Sequence, residues 1–151
     1  MAQTTYDWQN GRASDLAMGG TLFGALVGPF SFAELGPVRR AKDGEVILFR
    51  GVPKSEWPQF ADALDGIATP IGGHESPYLH NKGNTASIFT SWTTRPNWAK
   101  GVARYEGVVL QKTFPESVLV KSPNLYSSER EILIEGVVTG CKVIKMGPCP
   151  Y

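Results

Sequence analysis

Glycine and proline interrupt this chain 17 and 11 times in 151 residues, which opens short strands and turns to it and closes off long unbroken helices. The apolar runs fit that limit. Glu45-Val46-Ile47-Leu48-Phe49-Arg50 reads as the first clear strand, ended by a cation and Gly51. Residues 53–65 read as a helix, with Trp57, Phe60, Ala61 and Leu64 at spacings of three and four and Gly66 closing it. Residues 69–85, rich in Gly, Pro, His and Asn, read as a long loop carrying His74, His80, Asn81 and Asn84. A second strand follows over Ala86–Thr90. Thr93 or Thr94 then caps a helix with Pro96 in its first turn and Trp98, Ala99, Val102 and Ala103 turned inward. Further strands are expected over 105–113, 117–121, 130–135 and 141–146, with an exposed loop over 122–128. Strands mixed in this way with two short helices make an α+β fold.

A chain of 151 residues, 42% hydrophobic and 19% charged, is long enough for one globular core. We divide it into a lead-in over 1–44 and a core over 45–151. A net charge of +1 lacks the basic stripe that nucleic acid requires, so no nucleic-acid partner is expected. Cys141 and Cys149 are too few for a disulfide framework or a zinc set and are expected as unpaired thiols. His74 and His80 have no carboxylate or thiol at ligand spacing, so no metal is expected. Residues 1–10 are polar and lack a basic-then-apolar secretory pattern. Residues 16–35 are the one membrane candidate, broken by Pro29, Glu34 and several glycines; a short helix from Ser14-Asp15 through Ala25, or a glycine-rich connector, is expected there and no stable span.

The chemistry concentrates at strand ends. Glu129-Arg130-Glu131 opens into the run Ile132-Leu133-Ile134. If all three residues are extended, Glu129 and Glu131 stand side by side with Arg130 turned away, because i and i+2 share a face. Two adjacent carboxylates repel, and a site or a cationic partner is the usual reason to keep them together; a charged, solvated strand edge is the plain alternative. Arg50-Gly51 ends one strand and Ser91-Trp92-Thr93 leaves another. Taken singly, Arg50 is a surface cation and Ser91 and Thr93 are ordinary strand-end hydroxyls.

In this order and context the three pieces resemble the mono-ADP-ribosyltransferase toxins of the Arg–Ser–Glu class, above all the toxin tips of Rhs-type and other polymorphic bacterial effectors. That family has an arginine ending its first core strand, an aromatic-hydrophobic-Ser-Thr-Ser strand, and a Glu/Gln-x-Glu before a later strand. Here Ile88-Phe89-Thr90 leads into Ser91-Trp92-Thr93, so Trp92 replaces the middle Thr and Thr93 the final Ser. The resemblance covers residues 45–146.

What the resemblance implies is a split β-sandwich of two small, mostly antiparallel sheets with NAD, as substrate, in the cleft between them. Breaking the nicotinamide–ribose bond passes through an oxocarbenium-like state that a carboxylate stabilises. Glu131 would supply it, Ser91 would donate to Glu131 and hold its rotamer, and Arg50 would grip the pyrophosphate. Gly51 would let backbone groups approach the nicotinamide, and Thr93 keeps the last hydroxyl of the motif. Glu129 would activate an arginine on a target protein. Tyr126 would present that target with an exposed aromatic, or else is a loop tyrosine packed on the sheet. Trp98 would stack on nicotinamide or, as its helical spacing favours, fill the core. The implied setting is a secreted effector acting in the cytoplasm of a target cell and blocked in its producer by an immunity protein. NAD glycohydrolysis and a non-catalytic module on the same scaffold are the alternatives.

Overall fold

The structure, a computed structural model, describes residues 6–7, 12–13 and 42–150. Two short strands, β1 (Tyr6–Asp7) and β2 (Arg12–Ala13), pair with each other. The main sheet contains β3 (Glu45–Val52), β4 (Phe89–Thr93), β5 (Val108–Pro115), β6 (Val120–Lys121), β7 (Glu131–Glu135) and β8 (Lys142–Lys145). These six strands lie in the order β6-β7-β4-β3-β5-β8, and every neighbour is antiparallel. Among the described residues three helices accompany them: α1 (Gln59–Leu64), α2 (Pro77–Asn81) and α3 (Pro96–Ala103). Two 3-10 turns, Glu116–Val118 and Pro123–Tyr126, flank β6. The α+β reading holds. The expectation of two separate sheets gives way to one sheet, whose ladders are uneven: β3 pairs β5 at eight positions and β4 pairs β7 at five, but β3 meets β4 only at Phe49↔Thr93.

Alternation in β3 sorts its side chains. Val46, Leu48 and Val52 face the larger core with Val108, Leu110 and Phe114 of β5, Trp92 of β4, Ile132 and Ile134 of β7, and Phe60 and Ala63 of α1. Trp92 stands edge-on to Phe114 with ring centroids 5.0 Å apart, and its indole N–H donates to Thr90 Oγ1 at 2.8 Å. Such an aromatic pair contributes about 0.5–1.5 kcal/mol beyond its buried area. On the other face, Phe49 and Val109 pack under Ala99 and Ala103 of α3. That contact is close because Gly51 lacks a Cβ. One built there would lie 2.1 Å from the Ala99 carbonyl oxygen. Gly51 therefore makes room for α3.

Several boundaries shift. The helix expected over 53–65 is confined to α1, because Pro53–Glu56 closes a turn and Pro58 occupies the N-cap. Trp57 is consequently 65% exposed and only Phe60 and Ala63 are buried on α1. The second strand begins at Phe89, so Ser91-Trp92-Thr93 lies inside it. Arg95 is the N-cap of α3, with its side chain making no capping bond; Ala99 and Ala103 are buried, but Trp98 and Val102 face outward. The 69–85 loop contains α2, started by Ser76, whose Oγ accepts the Leu79 N–H at 3.1 Å, with Pro77 in the first turn. Cys141, buried, and Cys149, exposed, are both free thiols. The helix expected over 14–25 and the membrane candidate over 16–35 lie outside the described residues. Among the described residues no helix is long and apolar enough to cross a membrane.

Candidate active site

The residues of interest sit on three adjacent strands, β3, β4 and β7, where the ladder between β3 and β4 runs out. One residue past Phe49↔Thr93, Arg50 substitutes a side chain for the missing backbone partner: its Nη1 donates to the Ser91 carbonyl at 3.0 Å. The Arg50 Nε–H is buried and has no hydrogen-bond partner among the described residues. Burial pushes the guanidinium pKa down, while Glu56, Cys141 and Glu131 push it back up.

Thr93 lies opposite Glu131, and Ser91 opposite Leu133, so Ser91, Thr93 and Glu131 share one face of the β4–β7 pair. By the alternation of β3, Arg50 belongs to the face of Leu48 and Val52, and its links to the others are the bond to the Ser91 carbonyl and a charge interaction with Glu131. Glu131 is buried. Its Oε1 accepts from Ser122 Oγ and, at 3.5 Å, from Asn81 Nδ2. The rotamer-holding bond expected from Ser91 thus comes from Ser122, which stands at the start of the second 3-10 turn. Ser91 Oγ is instead 2.9 Å from His80 Nε2, and His80 Nδ1 is 2.5 Å from Ser87 Oγ. His80 is buried edge-on to Phe89. Desolvation lowers its pKa, Glu131 opposes that, and Arg50 and His74 reinforce it.

Glu129 is not extended. Arg130 has φ = 52°, and its N–H closes a turn onto the Ser127 carbonyl at 3.2 Å. A left-handed non-glycine residue costs about 1–2 kcal/mol, and here the turn is braced from β4. Thr93 Oγ1 donates to the Glu129 carbonyl at 2.5 Å, and Arg95 Nη1 to that of Ser128 at 2.8 Å. The side-by-side geometry expected of Glu129 and Glu131 therefore fails, since the strand starts only at Glu131. The two carboxylates still sense each other: burial first, then Glu131, raises the Glu129 pKa. Asn124 Nδ2 donates to Glu129 Oε2 at 3.4 Å.

The structure thus gathers Arg50, Ser91, Thr93, Glu129 and Glu131, and adds His80, Asn81 and Ser122. Trp98 is outside this group, lining a groove of about 510 Å³ with Pro53, Ser55, Asn97, Gly101, Val102 and Arg104. Tyr126 closes the second 3-10 turn, and its side chain lies outside what the structure describes. A signal for His80 was present in Ser76-Pro77, an N-cap followed by proline that marks a helix start. Among the described residues no cluster of three or more His, Cys, Asp or Glu side chains is arranged to hold a metal ion.

Farther along β7, Glu135 is 2% exposed and neither carboxylate oxygen has a hydrogen-bond partner among the described residues. Burial, aided by Glu75, pushes its pKa up to about 7. A carboxyl whose folded pKa exceeds its unfolded value binds extra protons when folded, so stability falls as pH rises from about 4.5 to about 7. Glu135→Gln is expected to add on the order of 2 kcal/mol more stability at pH 8 than at pH 5. Urea unfolding at the two pH values measures this, and an equal effect at both would mean that the Glu135 carboxyl titrates in the fold as it does in the unfolded chain.

Comparison of the chain with family models, curated proteins and solved structures finds no match.

Proposed function

We propose that this protein is a mono-ADP-ribosyltransferase that moves ADP-ribose from NAD to an arginine of a target protein. The observation that carries this reading is the convergence of Arg50, Ser91 and Glu131, far apart in sequence, on three neighbouring strands, with a second carboxylate, Glu129, within electrostatic reach of Glu131.

In this reading the guanidinium donors of Arg50 not used on the Ser91 carbonyl bind the pyrophosphate. Glu131, fixed by Ser122 and Asn81, stabilises positive charge on the ribose as the C1′–nicotinamide bond breaks and its electron pair leaves with nicotinamide. A nitrogen of the acceptor arginine then bonds to C1′, and its proton passes to Glu129, whose raised pKa suits a base. The resemblance further implies delivery into a target cell and an immunity protein that covers the site in the producer.

Incubating the protein with NAD and a cell lysate tests the assignment: mass spectrometry should find ADP-ribosylated arginine, and free ADP-ribose alone would favour glycohydrolysis. Glu129→Gln is expected to abolish arginine transfer while nicotinamide release continues. Equal losses in both assays would remove the division of labour between the two glutamates. Arg50→Lys keeps the charge but loses the planar donor fork, and should weaken NAD binding by about tenfold or more in calorimetry. Unchanged affinity would leave Arg50 as a seam-filling side chain only.

A further inference from the structure

The two serines on either side of His80 fix where its proton sits. Ser87 is fully buried, and its Oγ accepts the Phe89 N–H at 3.1 Å. The other partner of that oxygen among the described residues is His80 Nδ1. If Nδ1 carried the proton, the Ser87 hydroxyl hydrogen would be left buried without an acceptor, at about 1–3 kcal/mol. If Nδ1 is the acceptor, Ser87 and both ring nitrogens are satisfied: Ser87 O–H donates to Nδ1, and the Nε2–H donates to Ser91 Oγ. Ser91 then holds one hydroxyl hydrogen with no acceptor among the described residues, on the same face as Glu131.

We infer that His80 is a positioning residue, held by Ser87 as the Nε2–H tautomer so that Ser91 keeps its hydroxyl hydrogen free to donate to an oxygen of the bound ribosyl substrate. The inference takes the substrate's identity from the transfer reaction proposed above; the proton arrangement itself does not depend on it. The reverse tautomer would make Ser91 donate to His80 and leave nothing for a ligand. The charged and titratable groups that act on the ring are Glu131 of β7, which favours imidazolium, and Arg50 of β3 and His74 before α2, which oppose it with burial. The neutral ring is the form the site favours.

The chain has two histidines, so ring nitrogens labelled with ¹⁵N can be read individually by NMR. His74 supplies a reference: its Nε2 faces the Asn84 carbonyl at 2.7 Å and its Nδ1 accepts the Ser76 N–H, which together require Nε2–H. At pH 7.5 the ligand-free protein should show His80 neutral and Nε2–H, and Ser87→Ala should lower the tautomer ratio about fivefold or more. An Nδ1–H or imidazolium ring in the unsubstituted protein overturns the inference. With NAD as the probe, His80→Asn, whose amide sits on the Ser87 side, should slow nicotinamide release about tenfold with KM nearly unchanged. His80→Gln, whose amide can reach Ser91, should restore most of the rate. Wild-type rates in both variants would also overturn it. Should the tautomer be Nε2–H while the unsubstituted protein neither binds nor cleaves NAD, the transferase reading fails and the His80 arrangement stands.

Discussion

Replacing Glu131 with glutamine is expected to leave the protein folded and to reduce nicotinamide release from NAD at least about a hundredfold. Glutamine is the informative substitution because Glu131 is buried and Ser122 donates to its Oε1. Alanine would leave that hydroxyl unpaired and open a void, mixing a stability loss into the activity. Glutamine keeps the shape and an oxygen for Ser122, and removes the negative charge that the reading requires next to the ribose. Thermal unfolding close to the parent, combined with lost turnover, is the expected pair of results. Turnover close to the parent would show that Glu131 is a structural carboxylate.

Much of this arrangement was legible in the sequence, and what was not has a physical reason. The apolar runs of β3, β5 and β7 stand out because those strands are buried, β7 along its entire length. Gly66 and Pro96 fall where helices stop and start. Spacing misled at Trp57 and Trp98: the turn at Pro53 removes the first from any helix, and the single buried stripe of α3 is taken up by Ala99 and Ala103 over Gly51. The i, i+2 rule failed at Glu129 because one left-handed residue, Arg130, breaks the extended backbone it assumes. His80 and Ser122 acquire their roles from partners 11 and 9 positions away, through loops whose path depends on the sheet they pack against. No local pattern encodes those distances.

Gly51→Ala should be severely damaging, destabilising the fold by about 4 kcal/mol or more and losing α3. The added Cβ would stand 2.1 Å from the Ala99 carbonyl oxygen and 2.9 Å from the Ala103 nitrogen, both of them backbone atoms that cannot rotate away. Phe49 and Val109 would be uncovered in consequence. Gly101→Ala supplies the contrast on the same helix: nothing lies within 4 Å of its Cβ position, so about 0.5–1 kcal/mol of stabilisation is expected from helix propensity. Circular dichroism melts of the two variants should move in opposite directions. A Gly51→Ala melt close to the parent would mean that α3 can lift away from β3 at little cost.

The pairing of the sheet also sets how the chain reaches this state. Its three longest ladders join residues far apart along the backbone: Glu45 with Pro115, Phe89 with Glu135, and Val108 with Lys145. The one rung between β3 and β4, which follow each other in sequence, is too little to nucleate them. Loops of tens of residues must therefore close, at an entropic cost, before any long ladder returns its hydrogen bonds. Refolding accordingly belongs with slow, non-local topologies, on the scale of milliseconds to seconds. Until β5 docks, the full length of β3 is an unpaired edge open to neighbouring chains.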